Sequence, residues 1–431
     1  MECTWKKFFL KLFRKQKRQN NIMADYNFVP ERSSVIYRKS DTSFIISVIL
    51  MWGIGMFTLL VCSANYGKAT HDNTFYFFNR QLIASGVGFA GLLFFAICPL
   101  SKLRKMLPVM CLMTIVLCLM VFVPGIRYER NDGAHRWIKM PVFTFQPSEV
   151  LKLMIILFLA NFFDKYCRKE DGAEDKTVSP AVVALVLSVS IVIFQKDFST
   201  SIFILCLGLI MFYIAKAKMM WLLPFCVLAI PAIILAVLTE QYRVNRIAAY
   251  INPNEFSQTF NFQVNWSKRA ITAGGFWGQG IGDGLKKLNN IPEIQSDYIF
   301  AGWAEAMGLI GVIAYLVLLI MFTYKAVRIS LKCPDRFSAF ATFGCAAAIF
   351  VQSMLNIGVV SGILPSTGIP LPFFSCGGSS IIVTLCMCGF IINASKCDSD
   401  TLYSEKSASQ DSSSKDYENL DVSFFTGRKG K

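Results

Sequence analysis

The sequence has only two histidines, His71 and His135, and none of its 14 cysteines forms a CxxC pair. Two histidines are too few for a histidine-based metal site, and the cysteine spacing indicates neither a zinc site nor a disulfide framework. No GK[ST] follows the glycine-rich stretch at 278–284, and no strand is predicted before it, which excludes a nucleotide P-loop and a dinucleotide fingerprint. No apolar core follows the basic N-terminal residues at signal-peptide distance.

Apolar residues make up 54% of the 431 residues and occur in long uninterrupted runs. A helix needs roughly 20 apolar residues to cross the hydrocarbon core, where only helices or closed barrels satisfy the backbone. The runs have helix length and do not alternate, so they predict an all-α polytopic membrane protein with about ten transmembrane helices. The predicted segments are 44–64, 81–100, 106–126, 150–164, 178–194, 198–215, 219–238, 298–323, 337–360 and 377–394.

Lys and Arg residues are distributed unevenly over the two predicted sides of the membrane. The net charge of +15 fits anionic lipid beside the membrane better than nucleic acid. An even number of crossings puts both termini on one side, which holds 29 Lys and Arg residues against 13 on the other. By the positive-inside rule both termini are cytoplasmic. The chain then comprises a basic cytoplasmic tail (1–43), a membrane domain (44–395) with one large extracytoplasmic loop (239–297), and a cytoplasmic tail (396–431) expected to be disordered.

A glycine-rich, lysine-bearing part of this loop leads directly into an apolar helix. Glycines alternate at 278, 280, 282 and 284, and Lys286 and Lys287 follow. Alternating glycines let backbone amides approach a phosphate, so a phosphate-facing loop and a flexible turn are both open. Asp297 stands where the helix begins and is either its N-cap or a catalytic carboxylate. Glu305 lies inside the helix and is a functional candidate unless it pairs with a basic residue such as Lys152.

Further charged residues stand beside other predicted segments. Glu149 and Lys152 share one helix face at i, i+3 and form either an internal ion pair or part of the site. Asp197 is either a helix cap or a second site carboxylate. The cationic candidates for a lipid-linked phosphate are Arg136, Arg243 and Arg246, although membrane anchoring is the commoner use of such residues.

The stretch 356–380 has no charged residue and contains prolines at 365, 370 and 372. The prolines forbid a regular helix there, and irregular backbone near a membrane is tolerated only where it is buried in protein or lines a cavity. We expect the stretch to shape a cavity for a lipid-like molecule, with Thr367, Pro370 and Ser379 as candidate contacts.

Six segments of the chain resemble the SEDS family of bacterial cell-wall proteins, whose best-known members are FtsW and RodA. They read GAHRWI, FQPSE, QKDFST, YRVNRIAAYINP, GFWGQGIG with IPEIQSDYIFAGWAEAMG, and LPSTGIPLPFFSCGGSS, and they span most of 133–380 in the expected order. The family's essential acid corresponds to Asp297. The chain departs from the family pattern at Lys196, Ser199, Gln295, Ser296, Ala306 and Cys376. Segments 62–65 and 77–82 resemble the FtsW (division) branch.

The resemblance implies a peptidoglycan glycosyltransferase that polymerises lipid II at the outer face of the bacterial inner membrane, in septal cell division. It implies a class B penicillin-binding protein and other division proteins as partners, and no nucleotide. Asp297 would act as the base for the acceptor hydroxyl or as a ligand of Mg²⁺ or Mn²⁺, and the basic residues would bind pyrophosphate.

Three alternatives remain open at this point. A rod-shape polymerase of the same family would act at the side wall. A lipid II flippase would line a path with Glu305, Lys152, Gln352 and Asn356. A non-catalytic scaffold would recruit division proteins through its two tails.

Overall fold

The computed structural model describes residues 40–125, 127–128, 136–140, 144–168, 178–217, 238, 240–253, 256, 261–281 and 294–396, which are mostly helical. The helices are α1 Thr42–His71, α2 Tyr76–Ile97, α3 Leu100–Met120, α4 Pro147–Arg168, α5 Ser179–Phe194, α6 Phe198–Ile214, α7 Gln241–Ile251, α8 Phe262–Gly274, α9 Ile299–Lys332, α10 Arg336–Val360 and α11 Gly378–Ala394. Most of the two predicted tails and nearly all of the seventh predicted segment lie outside the described residues.

Several described helices have the length and composition of membrane spans. Helices α1, α2, α3, α9 and α10 are long and apolar enough to cross a membrane, and α5, α6 and α11 are shorter apolar helices. The prediction of a helical membrane protein is confirmed. The count of ten crossings remains a prediction, as does the division into a membrane domain and two tails.

Aspartates begin three of the helices by accepting hydrogen bonds from backbone N–H groups of the first turn. Asp41 caps α1, Asp197 caps α6 and Asp335 caps α10. Asp197 is buried, and its Oδ2 also accepts from Gln146 Nε2 at 2.7 Å and from Ser148 Oγ at 3.3 Å. Of its two predicted roles, the structure therefore shows the helix cap.

Helix α9 differs from the continuous helix predicted over 298–323. Gly308 has φ 61° and ψ −162°, so the helix is broken there into a short buried half and a long half that ends at Lys332. A Cβ on Gly308 would lie 2.3 Å from the backbone nitrogen of Gly278, so only glycine fits this approach. Glu305 thus belongs to the short half and not to the interior of a continuous span.

The predicted outer loop 239–297 contains regular structure. Helices α7 and α8 occupy 241–251 and 262–274. One departure from an all-α fold precedes α4, where strands β1 Ile138–Lys139 and β2 Thr144–Phe145 pair antiparallel.

Helix α11 lies in the interior of the bundle and is buried from Ser379 to Ala394 apart from Ile382. It packs closely against α2, because Gly389 has no side chain: a Cβ there would lie 2.3 Å from the carbonyl oxygen of Leu92. Close packing of this kind fixes α11 against α2.

Candidate functional site

The Pro-rich ribbon, residues 361–376, joins α10 to α11 without regular structure. Its carbonyl oxygens accept hydrogen bonds from side chains of three helices, α6, α7 and α10. The pairs are Tyr250 with Ile363 (2.7 Å), Arg246 with Ser366 (3.0 Å), Ser199 with Thr367 (2.7 Å), Asn356 with Ile369 (2.8 Å) and Gln352 with Pro370 (2.8 Å). Backbone carbonyls outside regular structure need other hydrogen-bond partners, and these side chains supply them for the ribbon.

Asp297 lies against this ribbon. Its backbone carbonyl accepts from Asn356 Nδ2 at 2.8 Å. A Cβ built on Gly368 would lie 3.3 Å from Asp297 Oδ2, and Gly368 has φ 71°, so a glycine lets the ribbon run directly beside the carboxylate. The N-cap of α9 is Tyr298, which makes no side-chain capping bond, and Asp297 precedes it. The N-cap prediction for Asp297 is therefore wrong in this structure, and the carboxylate faces the ribbon.

Glu149 and Lys152 form the ion pair that their spacing predicts. A carboxylate oxygen of Glu149 lies 2.7 Å from Lys152 Nζ, and both side chains are buried. Lys152 also donates to Gln352 Oε1 at 2.9 Å and lies over the ring of Phe203. Because Gln352 holds Pro370, this network links α4 to the ribbon.

Glu305 is 1% exposed in the short half of α9. The sequence left open a pairing between Glu305 and Lys152, but the ion-pair partner of Lys152 in the structure is Glu149. Glu305 therefore contributes a buried carboxylate on the helix that Asp297 precedes.

The described glycines after α8 do not present their amides to a phosphate. Gly278 donates to the Gly274 carbonyl, Gln279 to that of Glu305 and Gly280 to that of Ala306, at 2.8, 2.9 and 3.1 Å. The amide of Gly278 thus binds the end of α8, and those of Gln279 and Gly280 bind the broken turn of α9. The phosphate-facing interpretation is therefore wrong for these positions. Lys286 and Lys287 lie outside the described residues, and their role stays a prediction.

A group of basic side chains lies where β1, the α5–α6 connection and α7 meet. Arg136 Nη2 donates to the Lys196 carbonyl at 2.9 Å, and Lys196 Nζ pairs with Glu240 at 2.9 Å. Partial burial lowers the pKa of Arg243, the Glu240 carboxylate opposes this shift, and the nearby Arg136 charge adds to it. The hydrogen bond from Lys196, with its charge, lowers the pKa of Glu240. The arrangement crowds positive charge together, which is what an anionic ligand needs.

The remaining predicted contacts are distributed along the ribbon and its neighbours. Arg246 donates a hydrogen bond from Nη1 to the ribbon. Thr367 Oγ1 is buried with no hydrogen-bond partner among the described residues. Ser379 Oγ accepts from the backbone N–H of Gln146 at 2.7 Å and so ties β2 to the start of α11. The structure places Arg246, Thr367 and Pro370 at one ribbon but leaves their contact with a substrate a prediction.

Within the described ranges, no group of three or more His, Cys, Asp and Glu side chains could hold a metal ion. Asp297 offers one carboxylate, and Mg²⁺ is commonly held by one or two carboxylates together with waters and substrate phosphates. A Mg²⁺ or Mn²⁺ ion at Asp297 would therefore need ligands from the substrate, and the cation remains a prediction.

Sequence reasoning did not find the hydrogen-bonding roles of Ser199, Tyr250, Gln352 and Asn356 towards the ribbon. Gln352 and Asn356 carried a detectable signal, because two amides at i, i+4 in an apolar helix indicate a buried polar partner. That partner is the ribbon, and the side chains are engaged with it instead of lining an open path.

The comparisons with known proteins agree with this architecture. The family model described as "Cell cycle protein", for FtsW, RodA and SpoVE, matches residues 41–400. The chain belongs to this family, which confirms the resemblance seen in its motifs.

Relatives of known name cover most of the chain. The probable peptidoglycan glycosyltransferase FtsW of Geobacter sp. (strain M18) is 34% identical over 76% of this chain and 89% of that protein. Stage V sporulation protein E of Bacillus subtilis (strain 168) is 33% identical over 83% of this chain and 97% of that protein.

Solved structures share the fold. A chain described under "Structural coordination of polymerization and crosslinking by a peptidoglycan synthase complex" aligns with a TM-score of 0.68 at 23% identity, over 84% of this chain and 98% of that one. Rod shape determining protein RodA of Thermus thermophilus aligns with a TM-score of 0.61 at 22% identity and the same coverage.

Proposed function

We propose that this chain is a peptidoglycan glycosyltransferase that polymerises lipid II at the outer face of the bacterial inner membrane. The observation that carries the proposal is the setting of Asp297. Its carboxylate precedes the N-cap of α9 and lies beside the ribbon at Gly368. The family membership and the glycosyltransferase names of its relatives supply the reaction class.

The chemistry needs a base and positive charge at the leaving group. The acceptor hydroxyl oxygen attacks the anomeric carbon of the lipid-linked sugar, and the bond from that carbon to the pyrophosphate oxygen breaks. Asp297 takes the hydroxyl proton. The pyrophosphate leaves with the bonding electrons, and Arg136 and Arg243, with Lys286 and Lys287, stabilise its charge.

The lipid-linked substrate determines which cofactors the reaction requires. The lipid pyrophosphate is already activated, so no nucleotide is needed outside the cell. Asp297 would help to hold a Mg²⁺ or Mn²⁺ ion, which would supply positive charge for the leaving group. The ribbon, with Thr367, Pro370 and Ser379, and the apolar helix faces hold the prenyl chain.

The experiment that tests this proposal is Asp297→Asn in purified protein. Asparagine keeps the size and the backbone contact to Asn356 but removes the negative charge. General-base assistance contributes on the order of 10²–10⁴-fold, so polymerisation should fall by at least that range while expression persists. The assay uses lipid II in detergent, where there is no bilayer to cross. Glycan formation under these conditions therefore requires an enzyme, since a transporter would form none. Near wild-type polymerisation by Asp297→Asn would exclude Asp297 as the base and make Glu305 the next carboxylate to test.

The place and partner of the reaction are part of the proposal. We place the chain in septal division, because several similar proteins carry the name FtsW, with a class B penicillin-binding protein and other division proteins. Co-purified cognate penicillin-binding protein should raise the polymerisation rate. Equal rates with and without every candidate partner would contradict this, and a side-wall pattern of the tagged protein would favour the rod-shape role.

Both termini are proposed to be cytoplasmic, with loop 239–297 outside. A single cysteine introduced at Ser257 should react with a membrane-impermeant reagent in intact cells. Reaction only after lysis would place the site in the wrong compartment.

A further inference from the structure

Two amide side chains of α10 face the Pro-rich ribbon from successive turns. Gln352 and Asn356 are 5% and 1% exposed. Gln352 Nε2 donates to the Pro370 carbonyl and Asn356 Nδ2 to the Ile369 carbonyl, both at 2.8 Å. Neighbouring ribbon residues are thus held by neighbouring turns of one helix.

Asn356 makes a second bond that Gln352 does not. The same Nδ2 also donates to the carbonyl of Asp297, at 2.8 Å. Both partners are carbonyl oxygens, which accept only, so the amide nitrogen and not its oxygen must face them. One side chain therefore joins the residue before α9 to the ribbon, and these two backbones are 72 residues apart in the sequence.

The carboxylate of Asp297 also lies near the ribbon. Its Oδ2 is close enough to Gly368 that a Cβ there would be 3.3 Å away. Gly368 is the residue before Ile369, whose carbonyl Asn356 holds. The two hydrogen bonds of Asn356 therefore connect the backbone that carries the carboxylate to the ribbon residue next to Gly368.

We propose that Asn356 is a positioning residue that sets the Asp297 carboxylate against the ribbon at Gly368. The inference rests on the proposed function, in which Asp297 is the base. The Asn356 carbonyl oxygen supports a geometric role, because it is buried with no hydrogen-bond partner in the described part of the chain. A buried unpaired carbonyl opposes stability, so the gain from the two N–H bonds is largely offset and their main effect is on geometry.

The chain contains a matched control for this amide. Asn393 is also 1% exposed, and its Nδ2 also donates to two backbone carbonyls, those of Phe95 at 2.7 Å and Cys98 at 2.6 Å. It stands at the C-terminal end of α11, whereas the ribbon precedes the N-terminal end. Asn356→Ala and Asn393→Ala therefore each remove two hydrogen bonds from an asparagine amide to backbone carbonyls. Asn356→Ala removes them beside Asp297, and Asn393→Ala removes them far from it.

Both variants are purified in detergent, their folded fraction is measured by thermal unfolding, and lipid II polymerisation is measured per folded molecule. We expect kcat of Asn356→Ala to fall about 10²-fold, as a misplacement near 1 Å does, with KM close to wild type. Asn393→Ala should lose stability but keep the wild-type kcat. A purely structural role would lower the folded fraction of both variants and change kcat in neither.

Equal kcat per folded molecule in the two alanine variants would overturn the inference. If Asn356→Ala yields no folded protein, Asn356→Ser, which keeps one donor, decides by the same two measurements. Suppose that the wild type polymerises lipid II, that Asp297→Asn does not, and that the Asn356 variant has the wild-type kcat. That result overturns the inference about Asn356 and leaves the proposed function intact. A wild type that makes no glycan, or a fully active Asp297→Asn, overturns the proposed function and this inference with it.

Discussion

Replacing Lys152 with methionine should destabilise the folded protein by about 3–5 kcal/mol, the usual cost of leaving a buried charge without its partner. Lys152 Nζ lies 2.7 Å from the Glu149 carboxylate, and the two side chains are 3% and 5% exposed. Methionine keeps the apolar stem of the lysine against its neighbours. The loss therefore measures the uncompensated carboxylate and not a cavity.

Two companion variants separate the contributions of the two charges to this loss of stability. Glu149→Gln should cost less than Lys152→Met, because Lys152 keeps Gln352 as an acceptor at 2.9 Å and the Phe203 ring at 5.1 Å. The double variant Glu149→Gln, Lys152→Met removes both charges. Replacing both members of a buried ion pair is often neutral, so most of the stability should return.

The assay is equilibrium unfolding of the purified protein in detergent, with polymerisation per folded molecule measured on the same samples. A Lys152→Met variant as stable as the wild type would refute the buried-pair argument. So would a double variant that is no more stable than Lys152→Met. A double variant that is stable and inactive would assign the pair to substrate binding, the second role that its spacing left open.

Two further predictions concern the backbone break in α9 and an exposed ion pair. Gly308→Ala should cost more than about 1–2 kcal/mol, because alanine disfavours φ 61° and its Cβ would meet the Gly278 backbone. Gly86→Ala, with nothing within 4 Å of its Cβ, should be neutral or stabilising in the same unfolding assay, and equal values for the two would contradict the break. The Lys196–Glu240 pair should contribute at most about 1 kcal/mol, because its side chains are 44% and 41% exposed. Since the folded pKa of Glu240 is lowered, this contribution is complete above the ordinary pKa of a glutamate and is lost as pH falls through the lowered value. Wild type and Glu240→Gln should therefore converge in stability in acid, and a gap that persists there would contradict the pair.

Relations within one helix were predictable from the sequence. Apolar runs of sufficient length predicted the apolar helices that the structure describes, since an apolar helix is the simplest way to satisfy backbone groups in lipid. They did not predict α7 and α8, which lie within the predicted outer loop. The Glu149–Lys152 pair followed from the i, i+3 spacing, and the cap at Asp197 from the preference of aspartate for that position. The family motifs predicted the membership that the comparisons confirmed.

Relations between distant segments were not predictable in the same way. Gly308 stands in an apolar run that permits a continuous helix, and the break exists because carbonyls of Glu305 and Ala306 pair with amides of residues 279 and 280. That same pairing removes these amides from a phosphate-binding role that alternating glycines alone had left open.

The sequence by itself determined that Asp297 stands between a long loop and an apolar helix, and it left a cap and a catalytic carboxylate as alternatives. Only the tertiary structure showed that Tyr298 is the N-cap, and the catalytic carboxylate stays a prediction. The tertiary structure brings Asn356 to the Asp297 carbonyl across 59 residues and Gly368 to its carboxylate. Local patterns repeat with the helical period and can be read in order, whereas these contacts depend on how α10 and the ribbon pack against α9.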